Sequence, residues 1–455
     1  MNEFAFKGML QKEGWIDNVT VKTDDAGIIV SIDSEIKSKS THSGFAIPGF
    51  QNAHSHAFQY AMAGLAELHS VNEAQNDFWS WRKTMYQLAL HITPEQMEHI
   101  ATMLYKEMLR NGYTQVAEFH YLHHNPNGKP YNQLAEMSER IMAGAQNAGI
   151  KITLIPIFYQ KGGFGKEAEK DQRRFISNSI DDYSKLFEAC EISAAKYNDA
   201  SVGYGIHSMR AVTSENIIRL SKLKKESTPL HIHVSEQLKE IEECESFLGK
   251  RPVEWLSSNI ELNEDYHLVH ATHLIEKEIE QIANSGASVV LCPSTEGNLG
   301  DGLFPLGKFL RKKGKWSIGT DSHIGINPLE EIRILDYGQR LITHSRNTFG
   351  NQNSADNGQI AIESALLNGR KAMGIDQESF FEIGKPLDAL VLSSTHPLLQ
   401  SASSKNRSNT IIYAGDSSMF NGTIVNGKWV IENGNHKETT IDFNFIKTMK
   451  ELRVR

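Results

Sequence analysis

The chain has 455 residues, 40% hydrophobic and 22% charged, with a formal net charge of −8. That balance, with no Lys/Arg-rich run, excludes a basic nucleic-acid footprint, and no stretch approaches the ~20 consecutive apolar residues that would span a bilayer. The opening MNEFAFKGML lacks the cationic and apolar regions of a signal peptide. The three cysteines (Cys190, Cys244, Cys292) are far apart with no CxxC pair, so a soluble, cytoplasmic protein without disulfides or a Cys-based zinc site is expected.

Residues before about Phe45 read as short alternating strands with turns, such as Val19–Lys22 and Gly27–Ile32. From there the rhythm changes. Short β-rich runs end in polar residues and are followed by longer stretches of helical periodicity. The strands are expected near Ala46–His54, Tyr113–Phe119, Lys151–Phe158, Val202–His207, Pro229–Val234, Tyr266–His270, Ala287–Cys292 and Trp316–Asp321. Helices are expected between most of them, at Pro94–Arg110, Leu134–Ala148, Ile180–Tyr197, Ser214–Lys225 and Glu276–Ser285. Thr93 before Pro94 reads as a helix cap, and Gly112 as its end.

Eight strands alternating with helices over about 270 residues match a (β/α)₈ TIM-type barrel. An open doubly wound sheet would be expected to carry a Gly-rich phosphate loop after its first strand, whereas here that strand ends in His-Ser-His. After Gly384 strands return at Leu387–Leu392, Thr410–Tyr413, Gly422–Val425 and Lys428–Ile431, with turns at Asn421-Gly422 and Asn426-Gly427. The expected architecture is therefore α/β. A barrel over 46–383 carries a small β-sandwich domain built from residues 1–45 and 384–455. The segment after about Lys437 has no clear assignment.

Residues two apart on a strand share a face, so His54 and His56 in Asn52-Ala53-His54-Ser55-His56 can both face the barrel interior. His231 and His233 do the same in His231-Ile232-His233-Val234-Ser235-Glu236, with Glu236 just past the strand end. There a carboxylate stands beside a metal without ligating it, where a proton carrier belongs. His270 closes the sixth strand and Asp321 the eighth. Singly, a strand-end His can be a hydrogen-bonded surface group and an Asp before Ser a helix cap. Together they occupy the C-terminal ends of different strands, where such barrels build their sites, and three imidazoles with a carboxylate suit Zn²⁺ and leave a position for water.

This pattern resembles the amidohydrolase superfamily, and the His233-to-Glu236 spacing resembles its deaminase branch. The resemblance implies one Zn²⁺ (or a related divalent ion) per chain on His54, His56, His233 and Asp321. The strand-four sequence Gly205-Ile206-His207-Ser208-Met209-Arg210 carries no bridging Lys or Glu of the two-metal members. It also implies that Asp321 takes a proton from water, that Glu236 shuttles protons, and that His270 orients the reacting group. Longer motifs, His54-Ser55-His56-Ala57-Phe58-Gln59, Phe78-Trp79-Ser80-Trp81-Arg82, Glu118-Phe119-His120-Tyr121, His207-Ser208-Met209-Arg210 and Ser294 through Gly302, resemble those members of the branch that hydrolyse N-formimino-L-glutamate to N-formyl-L-glutamate and ammonia in histidine degradation. Tyr60 departs from that pattern, where Arg follows the Gln. For a substrate with two carboxylates, Arg82 and Arg210 are the expected receptors, with Gln59, Tyr121 and His207 as hydrogen-bonding partners, and a homodimer is implied.

Trp79 and Trp81 read as aromatic core or a wall. His120, His123 and His124 read as loop or supporting residues, and Asn298 with Gly297 and Gly300 as a tight turn. Two other functions compete. A deaminase of a ring such as guanine would use the same metal core with less need of paired Arg, and a non-catalytic scaffold would not need its ligands.

Overall fold

A computed structural model describes residues 1–34, 44–65, 67, 78–346, 348–350 and 356–453. Eight parallel strands, β1 (Phe50–Ser55), β2 (Tyr113–His120), β3 (Lys151–Phe158), β4 (Tyr204–Ser208), β5 (Leu230–Val234), β6 (Tyr266–His270), β7 (Ser288–Leu291) and β8 (Lys315–Ile318), follow one another around a barrel. Their residues are almost wholly buried, as strands covered on both faces must be. Four helices matter below: α1 (Phe78–Ala89), α2 (Pro94–Arg110), α3 (Asn357–Ala372) and α4 (Thr440–Arg453). The α2 start is the expected one: Thr93 and Gln96 form a reciprocal capping box ahead of Pro94.

The chain just past β8 closes the barrel against β1. The amides of Thr320 and Asp321 each donate to His54 O at 3.0 Å, and His56 N–H donates to Asp321 O at 3.2 Å. Buried Asn52 reinforces the seam: its Nδ2 donates to Thr320 Oγ1 (2.7 Å) and its Oδ1 accepts from Thr320 N–H (3.1 Å). Gly319 is needed here, because a Cβ would come within 2.9 Å of the His54 backbone nitrogen and 2.7 Å of its Cβ. Replacing Asn52 with Ala removes both bonds while Thr320 keeps His54 O and His323 Nδ1 as partners, and is expected to cost about 1–2 kcal/mol, read as a lower denaturant midpoint at unchanged m-value.

The termini build a second sheet of eight strands. Its order is Asn435–His436, Lys428–Glu432, Phe420–Val425, Ala389–Leu392, Phe45–Pro48, Asn2–Gln11, Gly14–Thr23 and Ile29–Asp33. Two sequence readings are corrected here, and the unassigned last segment gains a structure. The strand expected at Ala46–His54 is two strands: Phe45–Pro48 pairs with Asn2–Gln11 and Ala389–Leu392, and only from Phe50 does the chain enter the barrel. Gly49 is the joint, where a Cβ would lie 2.2 Å from Thr114 Cγ2. Thr410–Tyr413 is not a strand but part of the helix Arg407–Ala414, since Ile411 and Ile412 are buried where it packs on α3; tertiary packing overrides β-propensity. Finally, the segment after Lys437 ends in α4, which docks on α2 through Gln96 with Glu451 and His99 with Thr448.

Candidate metal centre and active site

The strand ends deliver their polar groups through strained backbone. Ser235, His270, Ala271, Asp321 and His323 all take positive φ, between 45° and 66°. Each such non-glycine residue costs on the order of 1 kcal/mol, and the clustering of five at one end of the barrel marks a functional surface.

Four donors converge at its centre. His54 Nε2 lies 3.2 Å from His56 Nε2 and 3.1 Å from His233 Nε2, and Asp321 Oδ1 is 3.1 Å from His56 Nε2 and 3.5 Å from His54 Nε2. The tautomers of two rings are fixed. His56 Nδ1–H donates to Phe119 O (2.8 Å) and His233 Nδ1–H donates to His207 O (2.9 Å). Their Nε2 lone pairs therefore face each other and His54. Burial lowers His54 to about 3 and His233 well below the ordinary imidazole range. Burial opposes the Asp321 charge, but the His54 and His56 rings hold the carboxyl well below its usual range. Three imidazole nitrogens converging beside a carboxylate are donors of the kind that hold a divalent metal, so the set fits such an ion.

Glu118 supports the ligand strand from β2. Its carboxylate accepts from Ser55 Oγ and from the Ala57 N–H, both at 2.6 Å, and burial pushes it up to about 7.

His270 and Glu236 stand beside the ligands. His270 Nε2 is 3.7 Å from Glu236 Oε1 and 3.7 Å from Asp321 Oδ2, and its Nδ1–H donates to Glu296 Oε1 at 3.2 Å. Burial alone would lower this imidazole, but Glu236, Glu296 and Asp321 lift it to about 10. All the expected substrate contacts meet here as well: Gln59, Arg82, Tyr121, His207 and Arg210 line one cavity with His56, His233, Glu236, His270 and Asp321. Gln59 Nε2 donates to Tyr121 Oη (2.8 Å), and Arg210 Nη2 is 3.5 Å from Glu236 Oε2.

Sequence reasoning missed several neighbours. Glu296 lies on the helix Pro293–Leu299, which replaces most of the expected tight turn; only its C-cap Gly300 is left-handed. Burial and the Glu236 charge push Asp301 up to about 9, so its carboxyl keeps a proton at neutral pH, and Gln237 Nε2 donates to it. Lys239 Nζ sits 4.5 Å from the Trp79 ring centroid, the ring that Arg82 and Arg210 also approach, at 4.5 and 5.6 Å. Cys292 lies near His270 and Asp321, and burial raises its thiol well above the ordinary range. Trp81 lines the cavity. His123 and His124 hydrogen-bond to the carbonyls of Ile157 and Ile176 and belong to no candidate metal group among the described residues.

A barrel that gathers these donors at its C-terminal mouth fits a metal-dependent hydrolase, and the comparisons place the chain in a family of that kind. Residues 45–430 match the amidohydrolase family; the chain belongs to that family. It is 40% identical to the formimidoylglutamate deiminase of Pseudomonas aeruginosa, across 99% of both chains. An amidohydrolase structure from Brucella melitensis superposes with a TM-score of 0.93 at 37% identity, covering 100% of both chains. A 5-methylthioadenosine/S-adenosylhomocysteine deaminase of Thermodesulfovibrio yellowstonii is 26% identical, over 86% of this chain and 81% of its own. The zinc-bound adenosine deaminase of Xanthomonas campestris shares the fold, with a TM-score of 0.81 at 19% identity, covering 100% of this chain and 98% of its own.

Proposed function

We propose that this protein hydrolyses N-formimino-L-glutamate to N-formyl-L-glutamate and ammonia, a step of histidine breakdown, in the cytoplasm. The reducing cytoplasm suits its three buried free thiols, and among the described residues no helix is long and apolar enough to cross a membrane. The observation that carries the substrate reading is a buried cation beside the donor set. Arg210 is 5% exposed, and its Nη1 has no hydrogen-bond partner. An unpaired buried guanidinium nitrogen is costly, and a substrate carboxylate meets it with paired acceptors. Arg82, from α1, lines the same cavity and offers a second receptor.

Zinc on His54, His56, His233 and Asp321 would supply a water acidified to a pKa near about 7; another divalent ion of similar preference fits the same donors. The chain's own groups do the rest. Asp321 takes the proton released when water adds to the formimino carbon. Glu236, across from His270, carries protons to the departing nitrogen, which leaves as ammonia only once protonated. His270, held by Glu296 through Nδ1, presents Nε2–H to the reacting centre.

The test is ammonia release from N-formimino-L-glutamate beside N-formimino-L-aspartate and guanine, on protein of measured metal content. Preference for guanine would overturn the reading in favour of a ring deaminase. Replacing Arg82 or Arg210 with Met is expected to raise KM for the dianion about 30-fold or more, by loss of ~2 kcal/mol or more of charge-assisted bonding. A neutral linear formamidine should be little affected; equal losses on both substrates would remove the two arginines from the substrate site.

A further inference from the structure

We infer that the turn Asp171–Phe175 is a positioning device for α1, the helix that carries Arg82, and that buried Arg174 and Gln172 are the residues through which it sets substrate specificity. This inference rests on the proposed acidic substrate. The helix supplies Phe78, Trp81, Arg82, Met85 and Tyr86 to the cavity wall, yet it lies outside the strands of the barrel. Besides its packing on the segment Ala57–Met62 and the approach of Arg210 to Phe78 and Trp79, it is held by one short stretch from the loop after β3.

Arg174 is 0% exposed. Among the described residues it enters no ion pair with a carboxylate, and its hydrogen-bond partners are neutral oxygens. Nη1 donates to the carbonyls of Ala89 (2.5 Å), the last residue of α1, and Ile92 (2.8 Å). Nε donates to His124 O (2.7 Å), and Nη2 donates to Tyr131 Oη at 3.3 Å. Its own carbonyl accepts from His123 and His124 N–H, at 3.0 and 2.9 Å. A guanidinium at the C-terminal end of a helix faces the negative end of its dipole and satisfies carbonyls the helix leaves open. Arg174 thereby ties the end of α1 to the loop that follows Tyr121.

The same stretch grips the helix's cavity face. Gln172, also 0% exposed, donates from Nε2 to Tyr86 Oη (3.1 Å) and Tyr159 Oη (2.9 Å). Gln87 Nε2 donates to Asp171 Oδ2 at 2.9 Å. The Phe175 ring packs against Tyr86, Tyr121 and Tyr159, with centroids 5.6, 5.1 and 5.8 Å away. Tyr159 in turn lies 4.3 Å from the His207 ring. The turn thus contacts the helix bearing Arg82 and the residue Tyr121, and through Tyr159 it reaches His207. It touches none of the four metal donors, so loosening it should misplace Arg82 while leaving the metal centre intact.

The experiment uses the metal-loaded full chain with Arg174→Lys, which keeps the charge but not the fork, and Gln172→Leu, which keeps the bulk. The expected result is a KM for N-formimino-L-glutamate raised about tenfold, with kcat, bound metal and turnover of a neutral formamidine little changed. Hydrogen exchange should quicken in Phe78–Ala89 and not in the barrel strands. Equal losses on both substrates, or unchanged exchange in the helix, would overturn the inference. If wild-type protein does not hydrolyse N-formimino-L-glutamate, the functional reading fails instead, and the exchange comparison still decides whether the turn holds the helix. Should Arg174→Lys not fold, Gln172→Leu alone carries both readouts.

Discussion

Glu236→Gln should keep its metal and lose turnover. The expected fall in kcat is about 10²–10⁴-fold, the span of a lost general acid–base group, with KM for the substrate near that of the wild type. Two geometric facts separate this residue from the ligands. Its carboxylate faces Arg210 Nη2 at 3.5 Å and His270 Nε2 at 3.7 Å, whereas the four-donor cluster is complete without it. The amide fills the same volume, so packing survives. It cannot take up a proton, and it removes the charge that contributes most to lifting His270. Steady-state kinetics beside metal analysis decides the matter: a variant within about tenfold of wild-type kcat, or one that has shed its metal, would contradict the assignment.

What was legible in the sequence was what short-range geometry encodes. His54 and His56 share a face because a strand has a period of two, and the same rule placed His233. The C-terminal ends of successive strands meet in a closed barrel, so His270 and Asp321 could be brought to the pair without knowing any contact. The missing pieces depend on neighbours distant in sequence. Gly49 turns the chain from one sheet into another only because Thr114 lies against it. Thr410–Tyr413 is rich in β-branched residues, and it is the packing of its helix on α3 that decides its state. Arg174 carries no motif; its meaning lies in carbonyls 82 and 85 positions away. Tyr60, the departure from the family pattern, stacks on Phe445 of α4 with centroids 5.5 Å apart, a contact made from the far end of the chain.

Removing the metal should abolish activity and also lower thermal stability, and the second effect is the more informative. Three buried imidazoles and a carboxylate crowd together, with His54 Nε2 within 3.1–3.5 Å of the donor atoms of His56, His233 and Asp321. The rings of His56 and His233 are locked with their Nδ1–H on backbone carbonyls, so they cannot turn away to relieve the crowding of their lone pairs. Without a cation, the folded state has to protonate the cluster or loosen it, and both raise its free energy. With free metal a thousandfold above its dissociation constant, linkage adds about 4 kcal/mol to folding. Chelation should therefore abolish turnover and lower Tm together, and stoichiometric Zn²⁺ should restore both. Asp321→Asn is expected to weaken metal retention and to lose activity even when metal is supplied in excess, because the amide removes both a charged donor and the proton acceptor. His270→Asn, outside the donor set, should keep its metal and its response to chelation while losing turnover. Differential scanning calorimetry with metal analysis separates these cases. A protein whose Tm ignores both the chelator and added Zn²⁺ would show that the four donors hold no metal, and the hydrolytic reading would fall with them.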